Sequence, residues 1–229
     1  MRSLAKKHQV HIIRFVIIDE GEGAMVDVAG VILAGGKSRR MGTDKAFLTV
    51  GKEAMIERIA GELGQVFQEI LVSGGGGEIG RRLGLKVVPD QMKGLGPLSG
   101  IHASLLAAQS RKCLFVPCDM PFLHAELAGI MAGLSDGYDV TVPQYGGYLQ
   151  PLFAIYDKSC LPAVEGALKE GRYKVVDIYR QLRVKYVSEA VLGSVADIDT
   201  LFFNVNTPLD LEKARIMENK RNKVRGINC

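Results

Sequence analysis

Residues Val28 to Ala34 are apolar throughout except for Gly30, and the run stops at Gly35 and Gly36. Four basic residues, Lys37, Arg39, Arg40 and Lys45, follow within nine positions. This is the pattern of a buried strand that delivers its backbone onto an anion. Paired glycines let main-chain N–H groups approach oxygens closely, and the lysine and arginine side chains neutralise the charge. A solvated basic turn would not need two glycines at a strand exit. The feature predicts an α/β chain whose first strand ends in a phosphate loop.

The rest of the chain alternates short β-rich runs with longer amphipathic ones. Strands are predicted over residues 28–33, 69–73, 86–88, 112–117 and 139–142, and helices over 53–66, 99–109, 124–134 and 208–219. Further on, 153–156 reads as a strand, 159–168 as a helix and 202–205 as a late strand. The run Cys113-Leu114-Phe115-Val116 is apolar at every position, which suggests burial on both faces. Alternating βα units of this kind give a three-layer αβα, Rossmann-like fold around a mostly parallel sheet. Ligands of such sheets sit at the carboxyl ends of the strands. The glycine loop, Asp90 after Val88-Pro89, and Asp119 after Pro117-Cys118 all fall at such ends and should converge on one cleft.

Composition bounds the reading. With 229 residues, 47% of them hydrophobic and 24% charged, the chain suits one well-filled domain. The net charge of +4 is concentrated at the ends, in Arg2, Lys6 and Lys7 and in Lys220, Arg221, Lys223 and Arg225. No aromatic residues interleave with these charges, so nucleic acid is not expected as a partner. No apolar run approaches the ~20 residues of a membrane span. The four cysteines (Cys113, Cys118, Cys160, Cys229) form no C-x-x-C pair, which fits a reducing, cytoplasmic setting. Three parts are expected: an extension over 1–24, a catalytic domain over 25–217 and a basic tail over 218–229. Met25, just ahead of the first strand, makes an upstream start site a candidate origin for the extension.

Two familiar phosphate motifs fail. Gly36-Lys37-Ser38 supplies the end of a Walker A loop, but the glycine required five positions earlier falls at Val31. A literal G-x-G-x-x-G occurs at Gly75, Gly77 and Gly80, yet the helical stretch after it is too short for a βαβ crossover before Gly84. What remains is a loop in which Arg39 and Lys45 would neutralise a triphosphate. Asp119, bracketed by Pro117 and Pro121 at the end of a buried strand, is a hard oxygen ligand suited to Mg²⁺. Asp90 is a metal or nucleotide contact, or otherwise a turn former. The glycine-rich stretch 92–101 runs into a helix with Ser99 as the expected N-cap. His102 and His124 read as packing or surface residues. No Ser-His-Asp or Cys-His constellation supports covalent catalysis.

Taken together, several segments resemble a known family. Leu33-Ala34-Gly35-Gly36-Lys37-Ser38-Arg39-Arg40-Met41-Gly42 with Asp44-Lys45 comes first, then Val88-Pro89-Asp90 and Gly96-Pro97-Leu98-Ser99-Gly100-Ile101. Pro117-Cys118-Asp119-Met120-Pro121, Gln150-Pro151-Leu152-Phe153 and Phe203-Asn204-Val205-Asn206-Thr207-Pro208 follow in order. From Val26 to Met217 the chain resembles the molybdenum cofactor guanylyltransferases. The resemblance implies transfer of GMP from GTP to the terminal phosphate of molybdopterin, with release of pyrophosphate. It implies that Leu33, Ala34, Gly35, Gly36, Lys45, Ser73, Asp90, Gly96 and Asp119 serve the nucleotide, with Arg39, Lys45 and Asp119 catalytic and Asp119 on Mg²⁺. Gln150, Asn204 and Asn206 would serve the pterin side, Asn206 alternatively completing the metal shell. Ser73 departs from the asparagine common at that position. Partners implied are GTP, molybdopterin or its molybdenum-loaded form, and transient contact with molybdoenzymes or cofactor chaperones. The rival readings are a nucleotidyltransferase using CTP or a sugar phosphate, and a non-catalytic molybdopterin carrier.

Overall fold

The computed structural model describes residues 27–35, 45–90, 94–195 and 197–226. An eight-stranded sheet forms its middle layer. It comprises β1 (Val28–Leu33), β4 (Ile70–Ser73), β5 (Lys86–Val88), β6 (Lys112–Pro117), β7 (Val140–Tyr145), β8 (Tyr148–Leu149), β9 (Ala154–Asp157) and β10 (Val184–Val187). The order is β10-β7-β9-β6-β1-β4-β5, with β8 beside β7. β1 runs parallel to β4 and β6, whereas β9 is antiparallel to both β6 and β7. A separate hairpin, β2 (Thr49–Val50) with β3 (Glu53–Ala54), precedes the first helix. The expected three-layer αβα architecture with a mostly parallel sheet is the one observed.

Alternation along the central strands explains the layers. Side chains of successive strand residues point to opposite faces. Val28 and Ile32 of β1, with Leu114 and Val116 of β6, pack on α1 (Met55–Gly64) through Ile56, Ile59 and Leu63. Ala29, Val31, Cys113 and Phe115 face the other way. There they meet Leu98, Ile101 and Leu105 of α3 (Pro97–Ala107) and Val164 and Ala167 of α5 (Leu161–Lys169). Gly30 is required on the first face: a Cβ there would stand 3.1 Å from Leu63 Cδ1 and 3.3 Å from Phe67. The remaining helices are α2 (Gly77–Leu83), α4 (Ala125–Gly133), α6 (Glu189–Leu192), α7 (Ile198–Leu201) and α8 (Pro208–Gly226). At seven residues, α2 is the short stub expected after the false dinucleotide signature.

Several sequence expectations are corrected. The helix predicted from residue 53 begins at Met55, because Gly51 (φ 73°) turns the chain into the β2–β3 hairpin first. Ala54 N–H then donates to Glu57 Oε2 at 2.9 Å and starts α1. Ser99 is not an N-cap: Gly96 occupies that position and Pro97 follows, fitting the first turn where its missing N–H costs nothing. The late strand predicted over 202–205 does not form. Its apolar side chains diverge, Phe202 onto Tyr145 and Phe153, Val205 into a third core cluster. The helix from Pro208 continues past residue 217 to Gly226, so residues 218–226 are not a separate tail. Glu218 is 7% exposed and pairs with Arg58 at 2.9 Å, and the Arg221 guanidinium lies 5.2 Å over the Phe122 ring. Basic composition concealed the side of the helix that packs.

Candidate active site

Strand register brings the candidate residues into one row. Leu33 pairs with Ser73 on one side and Pro117 on the other, and Ser73 pairs with Val88. The ladder extends one step further: Ala34 N–H donates to the Ser73 carbonyl, Gly74 N–H to Val88, and Cys118 N–H to Leu33. Gly35, Gly75, Asp90 and Asp119 therefore all stand two residues past the same row. This is where chain order reverses across the sheet, with β4 on one side of β1 and β6 on the other, and such points are the ligand crevices of open α/β sheets.

The neighbouring backbones are pressed together. Gly74 has φ 73°, and a Cβ on it would stand 2.8 Å from Gly35 Cα. Ser73, 4% exposed, donates its hydroxyl to the Gly100 carbonyl at 3.3 Å and so seats the first turn of α3 against β4. Ser99 donates to Asp90 Oδ1 at 3.0 Å and lies 2.8 Å from the Gly96 carbonyl. The sequence reading missed this Asp90 contact; its only signal was a hydroxyl nine residues after the aspartate. Together these bonds fix the glycine exit, Asp90 and the start of α3 as one unit.

On the β6 side, Val205 N–H donates to the Asp119 carbonyl at 2.9 Å. That single bond brings the segment Asn204–Asn206 up to Asp119, although 85 positions of sequence separate Asp119 from Asn204. Asn204 donates its amide to the Phe202 carbonyl at 3.1 Å. Asp210 accepts from the backbone N–H of Asn206 and Thr207 and from the Thr207 hydroxyl, while Asp210 N–H donates back to Thr207 Oγ1. This reciprocal cap fixes where α8 starts. The Thr207 hydroxyl, and then the backbone donors, hold the Asp210 carboxyl below its usual range.

A small core joins these parts. Val50 and Met55, Phe122 from the segment after Asp119, Val205, and Leu211 and Ala214 of α8 bury one another, with Leu48 and Phe203 alongside. Arg58 strengthens the joint by donating to the Val50 carbonyl and Glu218 Oε1. The turn Lys45–Phe47 opens this stretch and buries Ala46. The Lys45 side chain, Gly36 and Arg39 lie outside the described residues.

Gln150 stands apart from this group. It follows β8 on the same sheet edge, its N–H donating to the Pro143 carbonyl and its carbonyl accepting from Phe153 N–H. Elsewhere the polar chemistry is structural. Arg183 donates to both oxygens of Asp139 and, with Ser159, holds that carboxyl far below its usual range. Burial pushes the Cys113 and Cys160 thiols up to about 12, which leaves them poor nucleophiles. Among the described residues no cluster of three or more His, Cys, Asp or Glu side chains forms a metal cage.

A Rossmann-like sheet of this topology, with its glycine exit and two strand-end aspartates on one crevice, defines a nucleotidyltransferase. Residues 30–186 match the model of the MobA-like NTP transferase domain. The chain belongs to that family. It is 59% identical over 198 residues to a probable molybdenum cofactor guanylyltransferase of Pelotomaculum thermopropionicum, covering 86% of this chain and 97% of the relative. A protein of the same description from Carboxydothermus hydrogenoformans is 39% identical, with 82% and 95% covered. Among solved structures, molybdopterin-guanine dinucleotide biosynthesis protein A from Archaeoglobus fulgidus superposes with a TM-score of 0.72 at 28% identity, covering 84% of this chain and 99% of that one.

Proposed function

We propose that this enzyme transfers GMP from GTP to the terminal phosphate of molybdopterin and releases pyrophosphate. The observation that carries the reading is the Val205–Asp119 bond, which gathers Asp119, Asn204 and Asn206 beside the Leu33–Gly35 exit. Relatives that match almost end to end bear the name of this reaction.

In the reaction an oxygen of the acceptor phosphate attacks the α-phosphorus of GTP. The bond from that phosphorus to the oxygen bridging to the β-phosphate breaks, and pyrophosphate leaves with the electron pair. A phosphate monoester is already largely ionised near neutral pH, so no general base is needed. Catalysis is then positioning and charge neutralisation. The main-chain N–H of Gly35, next after the Ala34 N–H that the Ser73 carbonyl occupies, would help cradle the triphosphate, and Arg39 and Lys45 would neutralise the departing pyrophosphate. Asp90, held by Ser99, and Gly96 would orient the nucleoside, and Gln150 and Asn204 the acceptor.

One carboxylate with neighbouring amide oxygens fits a hard cation that keeps several ligands for substrate phosphates. Mg²⁺ held by Asp119, with Asn206 as a second donor, would supply charge neutralisation between the two reacting phosphates. Among the described residues Cys113, Cys118 and Cys160 are in no disulfide, which supports a reducing, cytoplasmic setting. Hand-over of the product to molybdoenzymes or cofactor chaperones is the partner relation that follows.

The test is Asp119→Ala assayed for guanylyl transfer. A loss of ~10²–10³ in rate with an unchanged melting profile is expected, the range found when one transition-state contact is deleted. Wild-type-like transfer by this variant would refute the assignment of Asp119.

A further inference from the structure

We propose that Tyr148 is the stacking platform for the planar heterocycle of the acceptor, an inference that rests on the guanylyl-transfer reading. Tyr148 is 77% exposed, an unusual state for an aromatic side chain in a well-packed protein. It opens β8 after a two-residue turn, Gly146 (φ 58°) and Gly147 (φ 77°). Two successive residues in the left-handed region make the tight turn whose twist matches paired strands, so Tyr148 is placed opposite Tyr145.

Three contacts fix this hairpin. Tyr145 donates its hydroxyl to Asp199 Oδ1 at 2.5 Å, its ring stacks on Phe202 at 4.9 Å, and Gly146 N–H donates to Glu189 Oε1 at 2.8 Å. Phe202 lies two residues before Asn204, so the hairpin and the asparagines rest on one support. Opposed residues share a face of the ladder, and so do residues two apart. Tyr145, Tyr148 and Gln150 therefore lie on the same face.

Topology places that face beside the reacting phosphates. β9 is antiparallel to both β6 and β7, so β6 and β7 point the same way and the hairpin leaves the edge that carries Asp119. Two strand spacings separate the ends of β6 and β7, about 10 Å. A ring system reached through a short phosphate ester spans a gap of that size. The phosphate end would sit near Asp119 and the ring on Tyr148, with Gln150 beside it to bond a polar edge.

The experiment measures Michaelis constants for GTP and for molybdopterin separately in Tyr148→Ala and Tyr148→Phe. Stacking of a heteroaromatic base on a side chain implies a rise in the acceptor constant of roughly 5- to 150-fold for Tyr148→Ala. The GTP constant and kcat should be unchanged, and Tyr148→Phe should behave as wild type. An unchanged acceptor constant in Tyr148→Ala, or an equal rise for both substrates, would overturn the proposal. If the wild-type chain forms no dinucleotide at all, the guanylyl-transfer reading itself falls, and the inference with it. A binding readout is also open, because the chain contains no tryptophan. Tyr148→Trp would carry the only indole, and its emission should be quenched by molybdopterin and not by GTP alone. Emission indifferent to molybdopterin would count against stacking.

Discussion

Four glycines in a row, Gly74 to Gly77, make the most discriminating stability experiment, because the same substitution should have opposite effects within three residues. Gly74→Ala puts a Cβ 2.8 Å from Gly35 Cα, backbone against backbone, where ordinary contacts begin near 3.4 Å. No side chain can swing away, so one of the two strand exits must retreat by more than half an ångström. The φ of 73° adds ~1–2 kcal/mol for an L-residue in the left-handed region. Clash and strain together should cost about 2–5 kcal/mol, or ~4–20 °C in melting temperature for a domain of this size. Gly77→Ala meets nothing within 4 Å and lies in the first turn of α2. It should stabilise by up to ~1 kcal/mol through the lost freedom of the unfolded chain. Thermal unfolding of both variants, with and without GTP, is the assay. Gly74→Ala should also lose much of the stabilisation by GTP, since Gly35 has moved, whereas Gly77→Ala should keep it. Equal melting temperatures for the two variants would refute the claim that these exits are in contact.

Further expectations concern the supports of the site. Ser99→Ala removes the 3.0 Å bond to Asp90 and should raise the Michaelis constant for GTP about fivefold, for a net bond of ~1 kcal/mol, with the fold unchanged. Steady-state kinetics at varied GTP checks this. The Arg58 bond holds the Glu218 carboxyl below its ordinary value of 4.5. A depressed carboxylate contributes stability above its unfolded value and loses it as pH falls through its folded value. Wild type should therefore lose stability as pH drops below about 4.5, and Glu218→Gln should flatten that part of the curve while destabilising the protein near pH 7. Denaturant unfolding across pH 3–7, as an order-of-magnitude window around carboxylate titration, reads both effects. Asp139→Asn should likewise remove an acid-dependent contribution, because the Arg183 guanidinium keeps that carboxyl far lower still.

The central layers were legible in the sequence because they follow from local rules. Cys113-Leu114-Phe115-Val116 is apolar at each position because both faces of β6 are covered, and Gly84 ends α2 in the left-handed conformation that a helix stop favours. Asp90 and Asp119 were legible as strand-end residues. Less local features were not. Phe202 to Val205 has the composition of a strand, but one bond to Asp119 and diverging aromatic side chains hold it as a loop. Glu218 lies in a basic, polar stretch, and its distant partner Arg58 shows that its side of α8 is buried. Tyr148 carried no sequence signal beyond the glycines before it. Its meaning depends on a sheet order that sets β7 parallel to β6 across the intervening β9.

The most direct test of the account is product formation by the purified full chain with molybdopterin and Mg²⁺, offered GTP and CTP in equal amounts. Molybdopterin guanine dinucleotide should accumulate, with one pyrophosphate released per dinucleotide and little cytidylyl product. Equal use of CTP, or binding of molybdopterin without release of pyrophosphate, would contradict it.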